Sequence, residues 1–427
     1  MASNNNRRRP VQRQAHPHNS NNRKRNIYRK SRYYRRRRQR IRLFAGAAAI
    51  LLLLLLILGI RGCINSSKKS KEAAAADAAA AEDLVNIEEE ASAEENKNTL
   101  SEPVSLTVSV VGDCTLGTDE TFSYDTSLNA YYDSYGKDYF FQNVKSIFQE
   151  DDLTIANMEG TLTTLDTREE KQFAFKAPPE YAQILSSGSV EAVNMANNHS
   201  HDYGEQSYTD TLSALDQENI VHFGYDETAV MDVKGIKVGL VGIYELNDHL
   251  GREQQVKDNI AKVKEEGAQL IIDIFHWGNE KEEVPDSNQT TLGRLAIDEG
   301  ADLVCGHHPH VLQGIETYKG KNIVYSLGNF CFGGNSAPSD MDSMIFQQTF
   351  TIDSDGVQAD NVTNIIPCSI SSDYGYNNYQ PTPAQGEEAD RILQKIEERS
   401  SYIEPAQTVS DSETVSESQE ETSSSEM

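Results

Sequence analysis

Between residues 100 and 370, short β-branched apolar runs alternate with stretches whose apolar residues recur every three or four positions, the pattern of an α/β fold. Strands are predicted at Leu106–Val111, Leu153–Ala156, Ala192–Met195, Lys237–Ile243, Leu270–Phe275 and Leu303–Cys305, and helices at Tyr139–Phe148, Tyr208–Gln217, Val256–Glu266 and Leu292–Glu299. From Gly314 the pattern changes. Gly314–Tyr318, Asn322–Ser326, Ile345–Ile352 and Val357–Ile366 are joined by Lys-Gly and Asp-Gly turn signals, which predicts antiparallel hairpins closing a second sheet.

The flanks follow other patterns. Leu43–Ile60 is a run of 18 apolar residues, about 27 Å long as a helix and close to the hydrocarbon thickness of a bilayer. It predicts one uncleaved transmembrane helix. A cleaved signal peptide is the rival reading, but no A-x-A-like site follows. Ile60-Arg61-Gly62-Cys63 faintly resembles a lipoprotein box, with Arg61 a poor neighbour for a lipidated cysteine. Residues 61–104 form an Ala/Glu-rich spacer of strong helix formers with little apolar face. The folded domain is expected over 105–370, and 371–427 reads as an acidic Ser/Glu-rich tail, largely disordered apart from a short amphipathic stretch at Glu387–Glu398.

Charge sharpens this division. Residues 1–42 hold 16 Lys or Arg and no acid, so the remainder sets 23 basic residues against all 66 acidic ones, a balance of −43. The basic arm beside the span places the N-terminus in the cytoplasm and the main domain outside, in a single-pass membrane protein. Attraction to anionic lipid accounts for the arm without a nucleic-acid partner. The five cysteines are an odd number, widely spread and without a C-x-x-C pair, so no disulfide framework or zinc knuckle is predicted.

Candidate chemistry is positional. Five predicted strands run straight into metal-ligand residue types: Gly112-Asp113, Asn157-Met158-Glu159, Asn197-Asn198-His199, His276-Trp277-Gly278, and Gly306-His307-His308-Pro309-His310. Ligands of an open α/β sheet gather outside the carboxyl ends of its strands, so these segments can meet at one site. Carboxylates mixed with imidazoles suit Mn, Fe or Zn. Such an ion would lower the pKa of water, and two ions could clamp an in-line displacement at phosphorus. Singly, each segment has a plainer reading. Gly-Asp is a common turn, a lone His276 after a buried strand reads as packing, and Asn197-Asn198-His199 with Asp202 could be an elaborate turn; Trp277 could wall a pocket or cap the core. Five segments in register favour the metal site.

With Asn157-Met158-Glu159-Gly160, Asn197 through Gly204, His276-Trp277-Gly278-Asn279-Glu280, His308-Pro309-His310 and Ser326-Leu327-Gly328-Asn329-Phe330 in this order, the chain resembles the CapA family of capsule-synthesis (poly-γ-glutamate biosynthesis, PGA_cap) proteins. About 260 of the 427 residues carry the resemblance. That family resembles calcineurin-like metallophosphoesterases, which implies a four-layer α/β/β/α sandwich. The resemblance further implies Asp113, Glu159, Asn198, His199, His276, His308 and His310 as metal ligands to one or two ions, His199 and His276 as catalytic groups, and Asn157, Trp277, Glu280 and Asn329 as substrate-binding residues. Two departures stand out. The first motif, D-x-H in phosphoesterases, continues here with Cys114 and Thr115, and Glu159 takes the place of a bridging Asp.

The expected function is synthesis or anchoring of an anionic cell-surface polymer of the poly-γ-glutamate type, through a metal-dependent hydrolase or transferase site and alongside other membrane-bound capsule-synthesis proteins. The alternative is a non-catalytic polymer-binding or scaffold protein.

Overall fold

The computed structural model describes residues 102–406. The basic arm, the predicted span at Leu43–Ile60, most of the spacer and the last stretch of the acidic tail lie outside the described residues. Among the described residues, no helix is long and apolar enough to cross a membrane.

Two sheets, rather than one parallel sheet and a later hairpin sheet, organise the body. β1 (Val104–Thr115), β2 (Leu153–Glu159), β3 (Ala192–Asn194) and β4 (Val221–Phe223) run parallel in the first. The chain then crosses to a six-stranded sheet built from β5 (Ala229–Val233), β6 (Ile236–Tyr244), β7 (Leu270–His276), β8 (Leu303–His307), β9 (Ile315–Tyr318) and β10 (Lys321–Val324), in the order β9-β10-β8-β7-β6-β5. It returns through β11 (Asn329–Phe332), β12 (Asp342–Asp353) and β13 (Val362–Ser369), which extend the first sheet beside β1; with the two-residue strands Gly356–Val357 and Thr382–Pro383 that sheet has nine strands. The predicted hairpins therefore divide between the sheets. One caps the edge of the second, and β12 and β13 lie antiparallel on the edge of the first.

The strand pattern explains the layering. Side chains alternate across a strand. On β1, Leu106, Val108 and Val110 enter the core between the sheets with Leu270, Ile272 and Ile274 of β7, while Val111 and Cys114 face outward. Ile271 and Phe275 of β7 likewise face away from the inter-sheet core, under Val256, Ile260, Val263, Leu292 and Ala296. On the far side of the first sheet, Phe140, Phe141, Phe148, Ile184, Leu185 and Leu215 form the matching layer. Helices thus cover the outer face of both sheets.

Three of the four predicted helices form, at Tyr208–Gln217, Val256–Glu266 and Leu292–Glu299, with their ends set locally. α1 (Leu128–Tyr135), α2 (Lys145–Phe148), α3 (Ala182–Ser187) and α4 (Glu205–Gln217) precede the crossing to the second sheet, and α5 (Glu253–Glu265) and α6 (Ser287–Glu299) cover that sheet. α6 opens on a capping box: Asp286 Oδ1 accepts from the amides of Asn288 and Gln289, and the Asp286 amide donates to Gln289 Oε1. The predicted helix at Tyr139–Phe148 is instead a 3-10 turn at Lys137–Tyr139 followed by the single turn α2. Its apolar positions Phe140, Phe141, Val144 and Phe148 are nevertheless all buried, so the periodicity reported burial rather than continuous helix.

The body also runs beyond residue 370, where the sequence placed its end. α7 (Glu387–Ser401) inserts Ile392 and Ile396 into the inter-sheet core. Its buried Arg399 donates to the Leu312 carbonyl and to Glu283, and Arg391 forms a fork with both oxygens of Asp342. The amphipathic stretch is therefore an integral helix.

A candidate metal centre at the strand ends

Strand register builds the site. Asp113 pairs with Asn157 across β1 and β2, and Asn157 with Asn194 across β2 and β3, so three polar residues stand in a row near the carboxyl end of a buried sheet. Asp113 also pairs with Asn329 of β11. In the other sheet His276 pairs with His307. Gly112 lets β1 come this close to its neighbour: a Cβ there would lie 2.2 Å from the Gly328 carbonyl oxygen, which accepts the Asp113 amide at 3.0 Å.

Seven of the predicted site residues converge. Asn157 Nδ2 donates to Asp113 Oδ1 at 2.8 Å, and its Oδ1 accepts from Asn194 Nδ2 at 2.9 Å. Asp113 Oδ2 lies 3.2 Å from His310 Nδ1 and accepts from the His308 amide at 3.3 Å. His276 Nε2 stands 2.7 Å from Asn198 Oδ1, with Asn157 Nδ2 against its Nδ1 at 3.3 Å. The rings of His276 and His308 are 4.8 Å apart, and those of His308 and His310 5.7 Å. His308 and His310 hold φ angles of 94° and 57°, a conformation costing each about 1–3 kcal/mol and typical of functional loops.

The groups at the centre fit a cation. One atom each from Asp113, Glu159 and His276 lie within 4.8 Å of one another. Ligands about 2.0–2.2 Å from one ion lie roughly 3–4 Å apart, and Glu159 Oε1 is 3.7 Å from His276 Nε2 and 4.0 Å from His310 Nε2. Glu159 Oε1 and His308 Nδ1 are buried without a hydrogen-bond partner, and a bound cation would satisfy them. Burial pushes the His276 imidazole well down, aided by His308, and takes His308 down to about 3, so both present neutral lone pairs. Burial and the Asp113 charge push Glu159 up to about 7. Although burial alone would raise it, Asp113 is held well below the usual carboxylate range by its hydrogen bond and charge interaction with His310. His310 rises to about 10, its burial outweighed by Glu159 and Asp113.

The remaining predicted residues occupy different surroundings. His199 lines a cleft of ≈ 520 Å³ together with Glu280, His310 and Asn329. Its ring packs on Phe175 at 4.6 Å, and Nδ1 donates to the buried Asp202 Oδ2 at 2.8 Å, which leaves Nε2 as the acceptor. Asn329 Oδ1 accepts from His310 Nδ1 at 2.9 Å, orienting that ring. Trp277 does not reach the cleft. It is fully buried in the layer under α6, stacked on Phe275 at 4.3 Å, with Nε1 donating to the Tyr325 carbonyl at 2.8 Å. Successive residues of a strand point to opposite faces, so His276 at the site sends its neighbour into the core. Asn157 is also fully buried and acts on Asp113 and His276 rather than on the cleft.

Some residues of the site escaped the sequence reading. Lys171 Nζ donates to Asp202 Oδ1 at 2.6 Å and to the Asn198 carbonyl at 2.7 Å, fastening the loop after β2 onto the ligand segment. Nothing marks it in the run Arg168-Glu169-Glu170-Lys171. Asn194 did carry a signal, an amide inside an apolar strand.

A model of the family described as bacterial capsule synthesis protein PGA_cap matches residues 107–334, more than half of the chain. The chain belongs to the PGA_cap family. Among relatives, a PGA biosynthesis protein CapA of Bacillus subtilis is 32% identical over 222 residues, covering 46% of this chain and 57% of that protein. A capsule biosynthesis protein CapA of Bacillus anthracis is 28% identical over 253 residues, covering 53% and 60%. A probable polyglutamine synthesis accessory protein of Mycobacterium tuberculosis is 26% identical over 210 residues, covering 42% and 55%. The chain thus spans between 55% and 60% of the length of these relatives. Among solved structures, a sulfate thiohydrolase SoxB of Thermus thermophilus aligns at 10% identity over 70% of this chain and 62% of that one, with a TM-score of 0.34. The PGA_cap match contains the ends of β1, β2, β3, β7 and β8, and with them every residue of the centre described above.

Proposed function

We propose that this protein is a metal-dependent hydrolase or transferase of the metallophosphatase-like type that acts on an anionic cell-surface polymer, of the poly-γ-glutamate kind, or on its precursor. The observation that carries this reading is Glu159 Oε1, buried and unbonded among His276 and His310. Asp113, Glu159, Asn198, His276, His308 and His310 would hold the ion, of Mn, Fe or Zn type given their mixed oxygen and nitrogen donors. When bound, it supplies Lewis acidity toward a carbonyl or phosphoryl oxygen.

The chain's own groups supply the rest. His199, fixed through Nδ1 by Asp202, lines the cleft and can carry a proton to or from the reacting oxygen there. Asn157 and Asn329 hold Asp113, His276 and His310 in place. Thr115 donates to Glu159 Oε2 at 3.0 Å where phosphoesterases have the histidine of D-x-H, so Glu159 offers one free oxygen. This favours one firmly held ion over a bridged pair.

The same reading puts the catalytic domain outside the cell, tethered by the Leu43–Ile60 span with its N-terminus in the cytoplasm, beside the enzymes that make the polymer. Elemental analysis of the full chain purified without chelators, beside His308→Ala/His310→Ala, tests the site. Metal in the native protein and none in the variant is expected. A native protein that binds no metal and still supports polymer assembly would favour the scaffold reading, to which the absent D-x-H histidine also points.

A further inference from the structure

Two tyrosine-rich segments far apart in sequence meet on the surface. α1 contributes Tyr131 and Tyr135, one turn apart on one face, while its Leu128 and Tyr132 turn inward, Tyr132 stacking on Tyr181 at 3.9 Å. The rings of Tyr131, Tyr135 and Tyr139 lie 4.9–5.8 Å from one another. The loop after β13 brings Tyr376 beside Tyr131. Tyr131 and Tyr139 pack partly on the core beneath, and the outer rings face solvent, Tyr135 63% and Tyr376 45% exposed. Exposed aromatic rings grouped in this way mark an interaction surface.

The platform is held rigid. Asn378 Oδ1 accepts from Ser371 Oγ at 2.8 Å and from the Ser372 amide at 3.0 Å, and Asn378 Nδ2 donates to Asp373 at 3.1 Å. Tyr376 Oη donates to the same Asp373 carboxylate at 2.7 Å. Gly375, at φ 90°, turns the chain just before Tyr376, a conformation a side chain there would resist. Rings presented on a fixed loop lose little entropy when they bind.

Chemistry selects the occupant. Aromatic faces rimmed by phenolic hydroxyls and a carboxylate match a pyranose, whose C–H face stacks on a ring while its hydroxyls donate to the acceptors beside it. A polyanion fits poorly. Asp373, Asp133 and Asp138 lie in or beside the patch, and Lys137 is paired with Asp138 at 3.1 Å. The platform also adjoins the cleft: Tyr379, 5.2 Å edge-on from Tyr131, lines it, as does Ser127, the N-cap of α1.

We propose that this tyrosine platform is a carbohydrate-binding surface that seats the sugar rings of a neutral glycan chain leading to the mouth of the cleft. Binding there does not depend on the metal centre, so it stands or falls separately from the catalytic reading. The test is titration calorimetry of the full chain with chitohexaose, maltohexaose, poly-γ-glutamate and decalysine, repeated with Tyr135→Ala/Tyr376→Ala. Both rings are exposed, so circular dichroism should show an unchanged fold.

At least one oligosaccharide should bind, and lose about tenfold or more in affinity in the variant, as expected for removal of stacked aromatic faces. Chelation should leave that binding intact. The proposal is overturned if neither oligosaccharide binds, or if either binds the variant equally well. Variant-sensitive binding of poly-γ-glutamate would assign the surface to the anionic polymer instead, and variant-sensitive binding of decalysine to a basic protein partner; either result alone also overturns it.

Discussion

Glu159 Oε1 stands 3.7 Å from His276 Nε2, deep in the protein and without a hydrogen bond of its own. An ion between the two would satisfy the carboxylate oxygen. Glu159→Gln should therefore weaken metal binding by at least roughly tenfold, read by competition with a metallochromic chelator. The metal-free state should respond in the opposite direction. Burial raises Glu159 to about 7, so its unfolded form ionises first and stability is lost as pH rises from about 4.5 through 7. At pH 8 the chelated variant should be about 1–3 kcal/mol more stable than the chelated native protein, measured by urea unfolding. A variant that keeps its metal, or whose chelated form is weaker than the native one, would count against the site.

Acid should act through the neutral histidines. His276 and His308 are depressed in the fold, His308 to about 3, so below about 6.5 the unfolded chain binds protons that the folded one refuses. Their contribution to stability is complete above that value and is lost as pH falls toward 3. Each such group adds about 1.4 kcal/mol per pH unit to the slope in this window. For the chelated protein, His308→Gln should remove about that much between pH 6 and 4. His310, raised to about 10, titrates on the other side and leaves this comparison untouched.

α7 anchors the end of the fold. Ile396 is 3% exposed and packs into the inter-sheet core. Ile396→Ala should cost about 2–5 kcal/mol, whereas Glu397→Ala on the solvent face should stay within about 0.5 kcal/mol. Equal effects in denaturant unfolding would mean that the helix is not docked.

The strand ends of the site were legible because each apolar run breaks abruptly into ligand chemistry, as at Val110-Val111-Gly112-Asp113 and Ile274-Phe275-His276. Which sheet a strand joins was not. β2 and β7 show the same buried, apolar pattern, and their separation depends on pairings between distant segments. The three-stranded sheet of Thr118–Asp119, Thr161–Leu162 and Phe175–Ala177 was invisible because strands of two or three residues leave no period. It sets the loop carrying Lys171 and Phe173 beside the site, which is why those residues were missed. Trp277 was read by its neighbour's chemistry, when strand alternation alone places it on the opposite face.

Asp273 offers the cleanest separation of fold from function. It lies on β7 between Val241 and Val304, fully buried, with neither carboxylate oxygen hydrogen-bonded. Its side chain shares the helix-covered face with Ile271 and Phe275, away from the inter-sheet core. Burial holds its carboxyl well above the usual range. The unfolded chain therefore ionises first, and stability falls as pH climbs above about 4. Asp273→Val supplies a β-branched side chain like those on both flanking strands and removes the unpaired polar group. It should stabilise the protein by about 2 kcal/mol or more at pH 7, with a smaller gain at pH 4.5 and no change in metal content. A loss of stability at pH 7 would show that the carboxyl has a partner that the fold alone does not reveal.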